Sequence, residues 1–541
     1  MKKLLILTSI IYLLSSAPKA FGASEFTTSF HSLYTIKSSG ATSVVHTIAL
    51  KNNLSHIYAT DYSIATSGEN LEGITASDET GEITLATTIQ NGATTIHLKI
   101  DRPAIGKDQV KTLTLAYQTD DVVESIGQTT TINIPRLARA NEAGEYTRVV
   151  RVEGVEGTPS LIYPPQSLTE PDGVYTNYTF VGHQNESLTL LFGRSVTYKL
   201  NLTYELKNKE LSAAESELAL PPDTAYQRVL ISAISPAPTR IDLDDNGNWL
   251  ARYPLRPQEK LLVTAELLVT LYPVPTLYDP SVSSFQKTAH SKYWDTTSAP
   301  VVDLAERLKT PQNIYEYLVN NFTYNYAGIS TGTRKGALTA ITSPSLVLCT
   351  EFTDAFVSLT RAQNIASREI NGYGYTKNNA LQPQNTETDI LHSWPEYYHS
   401  DKKQWIQVDP TWGNTTGGID YFNKLDFSHI TFVRHGSEDS YPLPAGAYKS
   451  DPQDKYIQVE VADPIEPTPR YEVKTEGGKD TVYNLGDTAM VNESVKVAGQ
   501  TVTVPYLPPY GQYELAPVNA SSFWSKLKGF FTRLATWAHI R

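Results

Sequence analysis

Pro344-Ser345-Leu346-Val347-Leu348-Cys349-Thr350-Glu351-Phe352-Thr353-Asp354-Ala355-Phe356-Val357-Ser358-Leu359 places apolar residues at Leu348, Phe352, Ala355, Phe356 and Leu359. This is the i, i+4, i+7, i+8 spacing of a helix buried on one face, and Pro344-Ser345 ahead of it is a start signal. The spacing predicts a helix with Cys349 in its first turn. There, unpaired backbone N–H groups carry partial positive charge, which favours thiolate over thiol, and a free N–H can face the oxyanion formed when a carbonyl is attacked.

Downstream, Leu391-His392-Ser393-Trp394-Pro395-Glu396-Tyr397-Tyr398 reads as a strand edge, and Lys403-Gln404-Trp405-Ile406-Gln407-Val408-Asp409-Pro410-Thr411 as the next strand with a polar stop. Ser400-Asp401 supplies turn residues between them. Two adjacent antiparallel strands would set His392 beside Asp409. A thiolate nucleophile needs such a base, and an imidazole needs a carboxylate to hold its tautomer. Each residue alone has a plainer explanation: a lone cysteine is usually a small buried hydrophobe, an isolated histidine a surface or satisfied core residue, and an aspartate before Pro-Thr a turn. The three together, in order and each on the element its role requires, outweigh those explanations.

These residues resemble the transglutaminase-like superfamily, whose motifs are a cysteine opening a helix, a histidine in a His-small-Trp strand and an aspartate in an Asp-Pro-Thr stop. The chain has Cys349-Thr350-Glu351-Phe352, then Arg361-Ala362-Gln363-Asn364-Ile365-Ala366-Ser367-Arg368 leading to Asn371-Gly372-Tyr373, then His392-Ser393-Trp394 and Asp409-Pro410-Thr411. The resemblance spans about Thr276 to Tyr448. It implies a papain-like α+β core in which Cys349 is the nucleophile, His392 its base and Asp409 the residue orienting that base. The implied chemistry is acyl transfer or amide hydrolysis on protein or peptide substrates through a thioester, with no metal or cofactor. A cysteine peptidase of proteins or cell-wall peptides is the alternative within the same class, and a catalytically silent adhesion or scaffold module the alternative outside it. Many members have a glycine before the cysteine where this chain has Val347-Leu348, so no second oxyanion donor is named.

Outside this core the chain alternates apolar and polar residues in short runs, as in Thr94-Thr95-Ile96-His97-Leu98-Lys99-Ile100 and Leu261-Leu262-Val263-Thr264-Ala265-Glu266-Leu267-Leu268-Val269. We therefore expect a multidomain α+β protein: a β-sandwich over 23–140, a second β domain over 141–275, the catalytic core over 276–448 and a small β module over 449–515. Asn91-Gly92 predicts a tight hairpin. Asp242, Asp244, Asn246 and Gly247 imitate the opening of a calcium loop, but Tyr253 stands where the bidentate glutamate belongs, so a polar turn is expected instead.

The two ends differ from the rest. Lys2-Lys3, the apolar run Leu4 to Leu14 and Ala20-Phe21-Gly22 read as a signal peptide over 1–22, which implies an extracytoplasmic protein. Over 516–541, Phe523, Leu527, Phe530, Phe531, Leu534 and Ala538 recur at helical spacing among Lys526, Lys528 and Arg533, an amphipathic helix suited equally to a membrane surface and to a protein surface. With one cysteine in 541 residues there is no internal disulfide. The net charge of −12, with neither sign gathered into a block, argues against nucleic acid as a partner.

Overall fold

The computed structural model describes residues 25–515, apart from 68–69, 91–92, 137–142, 155–157, 184, 282–290, 330–332, 385–388, 452, 477–478 and 498–499. The expected signal peptide, the Asn91-Gly92 turn and the C-terminal helix lie outside the described residues. The strands flanking that turn do pair, Gln90 opposite Ala93. Among the described residues no helix is long and apolar enough to cross a membrane.

Strand alternation in the N-terminal half maps directly onto burial. In Thr42–Asn52 every second residue is buried, because successive side chains point to opposite sheet faces. Phe26–Ile36 pairs antiparallel with this strand and parallel with Ala143–Glu153, Leu33 standing opposite both Val45 and Val149. Strands on either side of residue 140 therefore share one sheet, and a single apolar cluster runs from Phe30 to Phe192. A parallel pair needs a long crossover, and local alternation carries no trace of which strands that crossover joins.

In the next β region Val196–Lys207 and Lys260–Leu271 pair along their whole lengths, flanked by Gln227–Ser235. Ile457–Ala462, from the segment expected to form the small C-terminal module, adds to the other edge of Val196–Lys207. The Asp242 to Gly247 stretch is the polar turn it was expected to be. Asp244 Oδ1 accepts the Asn248 N–H at 2.8 Å, Gly247 adopts φ +76°, and Asp242 pairs with Arg240 and Arg252. The remaining C-terminal strands, Tyr471–Glu476, Lys479–Asn484, Met490–Val497, Gln500–Leu507 and Gln512–Glu514, enclose a small apolar cluster of their own.

The mixed region begins with α1 (Ala299–Leu308) and α2 (Pro311–Asn321), the latter started by Thr310, whose side chain accepts the Asn313 N–H. After α3 (Ala337–Thr342) comes α4 (Cys349–Ala362), which lies on a four-stranded antiparallel sheet. The sheet order is Gln404–Gln407, His392–His399, Ser367–Gly374, His429–His435. Phe352, Ala355, Phe356 and Leu359 are all buried in the core between helices and sheet, as the spacing predicts. The short α5 (Pro410–Thr415) follows the first of these strands.

The outer edge of His429–His435 is tied down by the second β region. The Gln227 side chain accepts the Thr431 N–H and donates to the Thr431 carbonyl, both at 2.9 Å, so it imitates a neighbouring strand. Asn248 makes the same two-way contact with the Arg434 backbone. An edge strand covered in this way is held in register.

Two glycines of Ser367–Gly374 let the ring systems of the site close over the sheet. A Cβ at Gly372 would lie 2.6 Å from Trp394 and 2.2 Å from the Ile430 carbonyl oxygen, and one at Gly374 would lie 2.8 Å from Trp412. Because the first obstacle is backbone, Gly372→Ala is expected to destabilise the protein by about 2–3 kcal/mol, the usual cost of overpacking. A thermal melt unchanged from wild type would contradict this.

Candidate active site

Cys349 is the first residue of α4, part-exposed at the helix start. Glu351 fastens this end: its carboxylate accepts the Leu348 N–H at 2.8 Å and the Lys335 N–H at 2.7 Å. The Glu351 and Phe352 N–H groups both return to the Leu348 carbonyl. Among the described residues the Cys349 N–H makes no hydrogen bond, as befits the first turn of a helix.

His392 opens the strand His392–His399 and lies opposite Gly372. Its Nε2 is 2.8 Å from Asp409 Oδ2, and its ring stacks on Trp412 at 5.0 Å and on Trp394 at 5.5 Å. Among the described residues its buried Nδ1 meets no nitrogen or oxygen partner, and the Cys349 sulfur is its neighbour in the site. Burial alone would lower the pKa of this ring. The Asp409 carboxylate and the nearby Cys349 sulfur outweigh burial and hold it at about 9.

Asp409 follows Gln404–Gln407 and caps α5. Its Oδ1 accepts the Thr411 N–H at 2.8 Å and the Trp412 N–H at 3.1 Å, leaving Oδ2 for histidine. The expected polar stop is thus a helix cap, and the cap fixes the carboxylate's orientation. Burial would raise its pKa, but the neighbouring imidazoles hold it well below the usual carboxylate range. All three residues singled out from the sequence come together here. Cys349 and His392 line one cavity of about 250 Å³, with Tyr324, Arg334, Gln384 and Leu391 among its walls.

A second histidine also reaches Asp409, one that no sequence motif indicated. His429, at the start of His429–His435, places Nε2 3.1 Å from Asp409 Oδ2 and Nδ1 2.8 Å from Asp426 Oδ1. The local sequence Leu425-Asp426-Phe427-Ser428-His429 sets an aspartate three residues before a histidine, a pattern with no chemical signature. The ligand atoms of His392, Asp409 and His429 lie within 4.8 Å of one another, the spacing of a cation site. Burial would lower the pKa of His429, yet Asp426 and Asp409, each facing one ring nitrogen, hold it at about 9.

Residues 297–410 match the model of the transglutaminase-like superfamily, a span that contains Cys349, His392 and Asp409 and ends before His429. No curated protein matches the chain in sequence. Among solved structures the chain is similar to a proposed cysteine protease from Cytophaga hutchinsonii, at 17% identity over 51% of this chain and 93% of the other, with a TM-score of 0.33. It is also similar to the periplasmic domain of TgpA from Pseudomonas aeruginosa, at 13% identity over 42% and 97% of the two chains and a TM-score of 0.24. A third similarity is to an M1 zinc metallopeptidase from Deinococcus radiodurans, at 12% identity over 35% and 45%, with a TM-score of 0.23.

Proposed function

We propose, for a chain whose residues 297–410 belong to the transglutaminase-like superfamily, that Cys349, His392 and Asp409 form a catalytic triad for acyl transfer or hydrolysis on protein or peptide amides. The observation that carries this reading is the place of His392 Nδ1, which among the described residues meets no nitrogen or oxygen partner and neighbours the Cys349 sulfur. Its other nitrogen is committed to Asp409, and the cysteine of a helix start shares its cavity.

The Cys349 sulfur passes its proton to His392 Nδ1 and becomes the nucleophile. It attacks the substrate carbonyl, forming a C–S bond and pushing the carbonyl electrons onto oxygen. As the oxyanion collapses the C–N bond breaks, and the amine or ammonia leaves with the proton from His392 Nδ1. A thioester on Cys349 remains. An incoming amine or water gives a proton back to His392 as it attacks, and the thiolate departs.

Two groups are suited to meet the oxyanion. One is the unbonded Cys349 N–H. The other is the hydroxyl of Tyr324, a residue that lines the same cavity. Tyr324 is brought there by the parallel pairing of Thr323–Tyr324 with Ser345–Val347, directly before the cysteine. Burial and the adjacent Cys349 sulfur both push its pKa up, so it stays a donor throughout the working pH range. Tyr324→Phe should lower kcat on the order of 10²-fold with little change in KM, the usual effect of losing one oxyanion donor. An unchanged kcat would remove Tyr324 from the mechanism.

The signal-like start of the sequence supports a reaction outside the cytoplasm, and the helical pattern over 516–541 supports contact with a membrane or protein surface. The overall reading is tested by incubating the protein with a glutamine-containing peptide and a labelled amine. Ammonia release, amine incorporation or chain cleavage that depends on Cys349 is expected. If none occurs and Cys349 is alkylated no faster than a small free thiol near neutral pH, the silent-module alternative holds instead.

A further inference from the structure

Asp409 Oδ2 serves two histidines at once. His392 approaches it from one side of Ser367–Gly374 and His429 from the other, since their strands flank that central strand. Both nitrogens of His429 face carboxylate oxygens, Asp409 at 3.1 Å and Asp426 at 2.8 Å. Ionised carboxylates only accept hydrogen bonds, so the ring satisfies both contacts only as an imidazolium. Trp394, Trp412 and Tyr421 pack around it with ring centroids 5.0, 4.4 and 5.9 Å away.

We propose that His429 is a positioning residue, a standing imidazolium anchored by Asp426 that locks the Asp409 carboxylate and offsets part of its charge, so limiting how tightly Asp409 holds the proton of His392. The proposal rests on the triad reading above. Its geometric half is the saturation of Asp409: Thr411 N–H and Trp412 N–H occupy Oδ1, the two histidines occupy Oδ2, and the carboxylate cannot rotate without breaking several bonds at once.

Its electrostatic half follows from the charges that face His429. Asp426 and Lys424 come from the segment before its strand, Asp409 from the start of α5, His392 from beyond the central strand and Glu124 from the N-terminal sheets. Glu124, pushed up to about 8 by burial and by Asp426, is largely neutral at pH 7 and leaves Asp426 and Asp409 as the anions that count. Lys424 is buried with its amine over the Tyr421 ring and, among the described residues, no hydrogen-bond partner, and burial pulls its pKa down. Without the His429 cation Asp409 would attract the His392 proton more strongly, and His392 would stay protonated to higher pH.

Cys349 is the only cysteine, so the pH profile of its alkylation by iodoacetamide in the full chain reports the thiolate–imidazolium pair directly. His429→Gln keeps a donor near Asp409 but removes the charge. Its upper inflection is expected about one pH unit above that of wild type, the effect of one cation at this range in a partly polarisable interior. An activated wild-type thiol with an unmoved His429→Gln profile overturns this proposal alone. A wild-type thiol no more reactive than a small free thiol overturns the triad reading, and this proposal with it. Should His429→Gln fail to fold, NMR of the unmodified protein carrying isotope-labelled histidine decides. His392 and His429 are both expected to give imidazolium signals at about pH 8, with His392→Gln used to tell them apart, and a neutral His429 ring there overturns the proposal.

Discussion

Replacing Cys349 by alanine is expected to lower turnover on the order of 10⁶-fold, to the level left by substrate binding and the oxyanion donors alone. No other described group can take over the chemistry, because the chain contains no second thiol and His392 is placed to move protons rather than to attack. Serine should do no better, since its hydroxyl is far less ionised than a thiol beside the same imidazolium. The fold should be untouched. Cys349 is part-exposed, alanine is the best helix former, and the helix start is secured by Glu351 through Leu348 and Lys335. We expect a stability change of less than about 1 kcal/mol. Unfolding curves that superimpose, together with a lost reaction, would separate chemistry from structure, and an alanine variant that still turned over would end the thiol mechanism.

Replacing Asp409 by asparagine is expected to damage both catalysis and stability. Four donors converge on the wild-type carboxylate: two N–H groups of α5 and two histidine rings. An amide has one acceptor oxygen, so whichever way it turns, its NH₂ meets an N–H. His392 and His429 lose their anion whichever way the amide turns, and if its oxygen faces them α5 loses its cap as well. Leaving buried cations without their partner typically costs about 3–5 kcal/mol. Catalysis should fall by about 10⁴, the effect seen when an orienting aspartate is made neutral in the serine-protease triad.

The pH dependence gives this prediction a sign. The Asp409 pKa is depressed by folding, so its contribution is present above the ordinary aspartate range and is lost as pH falls through the folded value. The His392 pKa is raised to about 9, so its contribution is complete below the ordinary histidine value and is lost as pH rises through about 9. The stability gap between wild type and Asp409→Asn should therefore be widest from about pH 4 to about pH 6.5 and shrink toward alkaline pH. Denaturant unfolding at several pH values measures it, and a gap independent of pH would mean that Asp409 matters as a helix cap rather than as an ion-pair partner.

Much of the site was legible because its signals are local. The spacing of Leu348, Phe352, Ala355, Phe356 and Leu359 reports a helix with one buried face, and it fixes where Cys349 falls relative to the helix start, since a period of 3.6 residues leaves few other registers. His392 and Asp409 were expected side by side because a short polar turn between two alternating runs makes a hairpin, and Glu396 opposite Gln407 is that hairpin. The turn at Asp244 to Gly247 was readable for the same reason.

Tertiary structure alone decided the rest. Alternation in Phe26–Ile36 says that one face is buried but not that its parallel neighbour is Ala143–Glu153. Likewise nothing local marks Ile457–Ala462 as an edge of the sheet built on Val196–Lys207. Gly372 and Gly374 look like ordinary strand weak points until Trp394 and Trp412 are seen closing over them. His429, Asp426 and Tyr324 belong to the site only through strand pairings and buried hydrogen bonds with residues far from them in sequence. Periodicity reports how much of a side chain is hidden from water. Which charges and donors meet once it is hidden depends on the packing of distant segments, and in this protein that packing brings a second histidine to Asp409 and a tyrosine into the cavity of Cys349.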